Sequence, residues 1–174
     1  MAGTLVPTQW GTIALALTAT LRALPGWRAP TDQKSGVTVY FGPEVDSYGD
    51  RTSQYVVVAW PGDDSGEGAD SPGSVTQKAA AMSTSHPREE TGEIRCVVVA
   101  DTGANPDFAG ALKAAEALLA QVQSALRANQ NLGLPDPTVR GVTFDTGSPT
   151  LMKLGGAVCR WEFRVAYTAR LGVV

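Results

Sequence analysis

The chain has 174 residues, of which 43% are apolar and 18% are charged, with 14 basic side chains against 17 acidic ones. This length suits one domain with a core of its own. No stretch reaches the roughly 18–20 uninterrupted apolar residues of a membrane helix, and no basic opening precedes the first apolar segment, which argues against a signal peptide. The net charge of −3 argues against a protein that binds nucleic acid by neutralising phosphates. We therefore expect a soluble, cytosolic single domain.

The first half of the chain predicts one helix and two clear strands. Apolar residues at three- and four-residue steps predict a helix over 9–24, with Thr8 as its N-cap. Apolar alternation predicts a strand over 37–41, and a continuous β-branched run predicts a central strand over 55–60. A segment at about 61–74, rich in Gly and Asp, predicts a flexible loop, and a short strand is predicted over 75–82.

The second half predicts a helix between strands. Strands are predicted over 93–100 and 138–144, and the Asn105-Pro106-Asp107 sequence, with Asn105 as N-cap, predicts the start of an amphipathic helix over 108–126. From Ala157 to Leu171 apolar residues occupy the odd positions, which predicts one long strand whose odd face meets the helices. Since strands are usually of about 5–6 residues, we expect part of this strand to overhang its domain and contact another subunit.

These elements predict one domain over residues 1–174 in the α+β class. The expected fold is a mostly antiparallel sheet of four to five strands with two helices packed on one face. The expected order is α-β-β-loop-β-α-β-β, with the long strand at the C-terminus.

Residues that could carry catalysis are few. The single histidine, His86, lies in a polar stretch without a recognisable nucleophile or orienting acid, and the phosphate-binding, hydrolase and zinc motifs are absent from the sequence. Cys96 and Cys159 lie among apolar neighbours and are interpreted as small buried side chains. The sequence therefore predicts a protein that is not an enzyme, with no catalytic, cofactor-binding or metal-binding residues and no cofactor.

Two charged groups are the candidates for contacts with another subunit or a partner. One is the mixed-charge strip on the even positions of the long strand, for which a solvated sheet face is the alternative interpretation. The other is the acidic loop, which lacks the register of a calcium loop and is otherwise interpreted as a solvated segment. The residues of the strip and then of the loop are Arg160, Glu162, Arg164, Arg170, Asp63, Asp64, Glu67 and Asp70.

The order and spacing of six sequence blocks carry a resemblance to a known family. The blocks are LRALPGW, VTVYFGP, YVVVAW, REETGEIRCVVVADTG, FAGALKAAEALLAQVQSALRANQNLG and GGAVCRWEFRVAYTARL. They are spread from Leu21 to Leu171, so the resemblance extends over nearly the whole chain, although no single block is specific. In this layout the chain resembles the tail terminator proteins of long-tailed double-stranded DNA phages, which are also found as minor tail or neck proteins.

The resemblance implies a structural role in the virion. Such proteins form a homo-oligomeric ring, typically a hexamer, that caps the tail tube, stops its polymerisation and provides the surface for head attachment. It implies as partners other copies of the chain, the tail tube protein and a head-completion or connector protein, with DNA passing through the channel without specific binding and no membrane. It places the protein at the head-proximal end of the tail, and in the host cytoplasm during assembly. Another tail-completion or neck protein and an unrelated α+β binding module remain alternatives.

Overall fold

The fold is a mixed sheet with two helices on one of its faces. The computed structural model describes residues 8–31, 36–42, 54–61, 72–78, 88–103, 106–135 and 139–171. The helices are α1 (Trp10–Arg22) and α2 (Phe108–Ala128). The strands are β1 (Trp27–Arg28), β2 (Val37–Phe41), β3 (Gln54–Val58), β4 (Gly73–Lys78), β5 (Arg88–Asp101), β6 (Val139–Lys153) and β7 (Ala157–Leu171).

The sheet has the strand order β1-β2-β3-β5-β7-β6. The remaining strand, β4, stands outside this order and pairs with β5. The ladders β1–β2 and β2–β3 are parallel, and the other four are antiparallel. The α+β class and two helices on one face are therefore confirmed, and antiparallel ladders predominate as expected. The count of four to five strands is wrong, because the described residues already form a sheet of seven. A two-residue strand such as β1 is too short to produce an alternation in the sequence.

The main core lies between the helices and one sheet face. The apolar stripe of α1 buries Ile13, Leu17 and Leu21 completely. On α2 the small side chains of Ala111 and Ala115 are also fully buried, which lets that helix lie close to the sheet. The expectation that the odd positions of the last strand face the helices is confirmed, with Trp161 half-buried and the following positions buried: Ala157, Cys159, Phe163, Val165, Tyr167 and Ala169.

The helix starts differ from the predicted ones. Gln9, not Thr8, is the N-cap residue of α1, and its side chain makes no capping bond. Thr8 precedes this N-cap residue by one position, and its hydroxyl accepts a hydrogen bond from the Trp10 N–H at 3.2 Å. Asp107 is the N-cap of α2 and accepts from the Gly110 N–H at 2.8 Å, so the capping role predicted for Asn105, which lies outside the described residues, belongs to Asp107.

The long C-terminal strand lies inside the sheet. β7 pairs with β5 on one side and with β6 on the other along almost all of its length. The prediction that β7 overhangs the domain is therefore wrong, since its pairing partners come from the same chain. β6 lies instead at an end of the sheet with β7 as its one described neighbour; it has 15 residues and continues well beyond the predicted limit at Phe144.

Two features of β6 explain why its second half was missed. Residues 145–153 contain Gly147 and Pro149 and show no apolar alternation, because most of these side chains are exposed. The ladder with β7 is also irregular between Thr146 and Pro149, where a β-bulge interrupts it. Pro and bulges are typical of edge strands, whose sequence is not constrained by a buried face.

Candidate interaction surface

The candidate site is the sheet face turned away from the helices, which we call the outer face. Even positions of β7 and odd positions of β5 lie on it, because β5 and β7 pair with Cys96 opposite Phe163. The four residues of the predicted strip on β7 are therefore together on this face. Arg164 is exposed, and the other three, Arg160, Glu162 and Arg170, are partly buried.

Charges on the outer face of β5 and β7 form diagonal pairs. Arg95 lies directly opposite Arg164, and each guanidinium contacts a glutamate of the facing strand instead. Arg95 Nη2 lies 3.8 Å from Glu162 Oε2, and Arg164 Nη1 lies 3.7 Å from Glu93 Oε2. The Glu162 and Arg164 side chains are 47% and 55% exposed, so these ion pairs contribute little to stability, on the order of 0–1 kcal/mol each. Their main effect is to fix the positions of these charged side chains on the surface, and they add little to the stability of the fold.

A small apolar cluster occupies the other end of the outer face. Its centre is Trp60, two residues after the end of β3, and the guanidinium carbon of Arg160 lies 3.9 Å from the centroid of its ring. Such a cation–π contact contributes about 0.5–2 kcal/mol. The buried residues of the cluster are Val57, Trp60, Val97, Val99 and Val158, with Tyr40, Tyr55 and Met152 packed against them. The outer face is thus only in part the solvated charged face considered as an alternative.

Sequence reasoning missed this cluster although a signal for it exists. The run YVVVAW and the matching run of valines in β5 are apolar at consecutive positions, which is typical of strands buried on both faces. The aromatic pair Tyr40 and Tyr55 belongs to the same region, with ring centroids 5.8 Å apart in a perpendicular arrangement.

Shallow hollows bounded by described residues open on the sheet, and two of them lie beside the charged strip. The larger, of about 360 Å³, is bounded by small side chains from four strands, among them Thr76, Thr91, Thr143 and Thr168. The smaller, of about 260 Å³, lies beside the β6 bulge and is bounded by Arg95, Asp145, Glu162 and Arg164 among others. Both hollows are lined mainly by polar and charged side chains.

A buried carboxylate occupies the helix side of the sheet, at the N-terminus of α1. Glu90 is fully buried, and its carboxylate accepts hydrogen bonds from four groups, of which two lie in the segment before α1, one on β4 and one on β7. The donors are Thr8 Oγ1 at 3.0 Å, the Gln9 N–H at 3.0 and 3.2 Å, Gln77 Nε2 at 3.0 Å and the Tyr167 hydroxyl at 2.8 Å. We call these five residues the Glu90 cluster. The positive end of the α1 dipole adds to the stabilisation of the negative charge.

Two glycines make room for the side chains around the Glu90 cluster. A Cβ on Gly92 would lie 2.4 Å from the Tyr167 hydroxyl oxygen, so the tyrosine ring crosses β5 where no side chain projects. A Cβ on Gly73 would lie 2.6 Å from Trp10 Nε1, which donates to the Glu93 carbonyl at 3.0 Å. Burial, and then the hydrogen bond to Glu90, raise the pKa of Tyr167 above its usual range. The cluster thus fastens α1 to β4, β5 and β7.

The residues considered for chemistry at the sequence level are placed as follows. Cys96 and Cys159 are buried as predicted, and burial raises the pKa of the Cys96 thiol to about 12, which keeps it protonated at neutral pH. Within the described residues, no group of three or more His, Cys, Asp or Glu side chains is placed to hold a metal ion. His86 and the acidic residues Asp63, Asp64, Glu67 and Asp70 lie outside the described residues. Of the loop expected at about 61–74, Gly73 and Ser74 belong to β4.

The edge formed by β6 completes the surface. In the part of the chain that the structure describes, β6 pairs only with β7, so its other side presents unpaired backbone N–H and C=O groups. Side chains from Asp145 to Leu151 are exposed, and Leu151 and Leu154, near the hairpin tip, are 48% and 58% exposed. An exposed long edge with apolar residues is a template for pairing with another chain.

The chain was compared with known families and with curated proteins. No family model and no curated protein sequence matches it. Neither of the described helices combines the length and the apolar character needed to cross a bilayer.

Proposed function

We propose that the protein is a structural subunit that assembles into a ring, and that this ring is a phage tail terminator. It caps the tail tube, ends its polymerisation and provides the surface on which the head docks. The sequence blocks quoted above support the family, and the open edge of β6 is the single structural observation that carries the proposal. Assembly through a sheet edge supplies backbone hydrogen bonds for affinity and side chains for specificity.

The geometry supports self-assembly for two reasons. The sheet has different strands at its two ends, β1 and β6, so copies can join head to tail, and head-to-tail contacts close into rings when the rotation allows it. The outer face also carries acidic and basic side chains in alternation, which suits contact with similarly mixed surfaces or passage of DNA without retention better than a uniformly basic face does.

The first experiment measures the oligomeric state. Size-exclusion chromatography with light scattering is expected to show a hexamer, or a ring that forms as the concentration rises. A strict monomer at high concentration would count against the proposal and favour an α+β binding module.

A pair of matched variants tests whether the β6 edge carries assembly. Leu151→Asp places a charge at the exposed end of β6, whereas Leu15→Asp places it on the exposed side of α1, where the leucine is 58% exposed. We expect Leu151→Asp to weaken assembly at least tenfold, while Leu15→Asp assembles like the wild type. Equal behaviour of the two variants contradicts the role given to β6.

Electron microscopy of the protein mixed with tail tubes separates a terminator from its relatives. Rings at one end of each tube are the expected result. Rings that form but bind no tube end point instead to another neck or tail-completion protein, which would replace the terminator assignment while leaving the ring intact.

A further inference from the structure

Arg28 is a buried arginine, and within the described structure most of its hydrogen-bond donors have no acceptor. It lies on the outer face of β1, at the end of the sheet opposite β6, and is 9% exposed. Its Nε and Nη1 atoms are buried, and neither has a hydrogen-bond partner in the described structure. Its Nη2 atom reaches the Gly36 carbonyl at 3.5 Å, the outer limit for such a contact. If the guanidinium turned toward another acceptor, it would give up only this one weak hydrogen bond.

A carboxylate is the acceptor that best satisfies a buried arginine whose donors have no partner. A guanidinium stays charged at all physiological pH values, and burying it without a counter-charge is costly. Charge-assisted hydrogen bonds from arginine to carboxylate are the strong ones among side chains. Because Arg28 lies on the end strand β1, a carboxylate on a strand of another molecule that pairs with β1 can reach its guanidinium.

The opposite edge of the sheet supplies one such carboxylate. Asp145 is the single acidic residue of β6, it is exposed, and it makes no ion pair with the described residues. Its cross-strand neighbour on β7 is Arg164, which lies on the outer face and contacts Glu93. Asp145 and Arg28 therefore project from the same face at the two ends of the sheet.

The strand directions allow these two ends to join. β1 runs parallel to β3, while β6 runs antiparallel to it, as follows from the ladders that connect them. When copies are related by rotation with the same face outward, β6 of one copy meets β1 of the next in the antiparallel sense. Antiparallel pairing is the slightly more stable arrangement.

The register between the two ends is also acceptable. Across the sheet, Arg28 is level with Thr38, and the ladders continue this row to Arg160 and Thr150. Asp145 lies opposite Arg164, four residues further along β7 than Arg160. An even shift keeps side chains on the same face, and four residues correspond to a stagger of about 13 Å. Closed sheets require a stagger of this kind, because their strands tilt against the axis.

We propose that Arg28 of one copy binds Asp145 of the next, and that antiparallel pairing of β1 with β6 joins the sheets of neighbouring copies. This inference rests on the ring proposed above and adds to it the two edges that meet and the ion pair that sets their register. The occupant of the Arg28 site is thus a carboxylate of a second copy of this chain.

The direct test is a disulfide across the junction. In the double variant Arg28→Cys/Asp145→Cys, oxidation of the assembled protein is expected to give a ladder of covalent oligomers on a non-reducing gel. The native thiols are buried and protonated, so each single variant serves as a background control. Arg28→Cys removes an unpaired buried charge, so we expect it to fold.

The outcomes separate this inference from the ring itself. If the light-scattering mass shows a ring but the double variant gives no ladder, the inference is wrong and the ring remains. A covalent dimer from Asp145→Cys alone shows β6 pairing with β6 and also overturns it. A ladder from Arg28→Cys/Thr150→Cys but not from the Asp145 pair overturns the assigned register. A monomeric wild type removes the ring and the inference together.

A charge reversal gives a second measurement that does not depend on changing Arg28. Asp145→Arg is expected to weaken self-association by on the order of 30-fold, because it places two cations in contact at the junction. Glu116→Arg, an exposed position on α2 with the same change in net charge, is the matched control and is expected to assemble normally. If both variants assemble as the wild type does, Asp145 is not at the junction.

Discussion

Removal of one hydroxyl group from the Glu90 cluster should measurably destabilise the protein. In Tyr167→Phe the aromatic ring still crosses β5 at Gly92, and only the hydrogen bond to Glu90 Oε1, 2.8 Å long, is lost. Tyr167 is 3% exposed and Glu90 is fully buried, so water does not replace the missing donor without rearrangement.

The magnitude follows from the chemistry of the bond. A hydrogen bond to a charged group contributes about 1.5–3 kcal/mol, more than the roughly 0.5–1.5 kcal/mol of a neutral one. Thr8, Gln9 and Gln77 continue to donate to the carboxylate, which keeps the loss within that range. Domains of this kind are stable by only about 5–15 kcal/mol in total, so the change is a large part of the whole.

Equilibrium unfolding in urea, followed by circular dichroism, measures this loss. We expect a lower midpoint with an unchanged slope, because the surface exposed on unfolding stays the same. Tyr40→Phe is the matched control, since that tyrosine is partly exposed on the outer face, and its change should stay within about 0.5 kcal/mol. If Tyr167→Phe loses no more stability than Tyr40→Phe, the Glu90 cluster does not fasten the helix as argued. Both unfolding curves are measured at a protein concentration at which each variant has the same oligomeric state.

Two further predictions concern the same region. The folded-state pKa of Tyr167 is raised, so ionisation is easier in the unfolded chain; its contribution is complete below about pH 10 and falls as the pH rises above that value. Urea midpoints at about pH 8 and about pH 11 should therefore differ more for the wild type than for Tyr167→Phe, and equal differences would contradict the assigned shift. Gly92→Ala should cost about 1–3 kcal/mol because the new Cβ meets the Tyr167 ring, while Gly141→Ala, with no heavy atom within 4 Å of its Cβ, should cost less in the same assay. Equal losses for the two alanine variants would show that the ring yields freely.

The extent of successful prediction differs between elements for physical reasons. β7 was predicted with its exact limits (Ala157 to Leu171), because its two faces have different surroundings and the sequence alternates accordingly. The second half of β6 was missed, because an exposed edge imposes no alternation. β5 begins at Arg88, five residues before its predicted start. The first residues of this strand show no apolar pattern, because the side chain that they bury is the charged Glu90.

The placement of the charged residues shows the same division. Which face of β7 carries Arg160, Glu162, Arg164 and Arg170 follows from the period of a strand alone. Their partners do not, because Glu93 and Arg95 come from β5, about 70 residues earlier in the chain. Glu90 binds Thr8, 82 positions away, and only the assembled sheet brings the two together. Long-range pairing of polar groups leaves no local pattern in a sequence.

The central position of β7 determines when the protein can fold. Within the described residues, β5 and β6 have no ladder with each other and are joined only through β7, which follows both of them in the sequence. Until residues 157–171 leave the ribosome, the nascent chain holds one partial sheet and one unpaired strand. Such non-local pairing is slow and comes late. The edge that β6 offers to other molecules is thus in place only after β7 has been made and has paired with β6, so assembly through that edge follows the synthesis of β7.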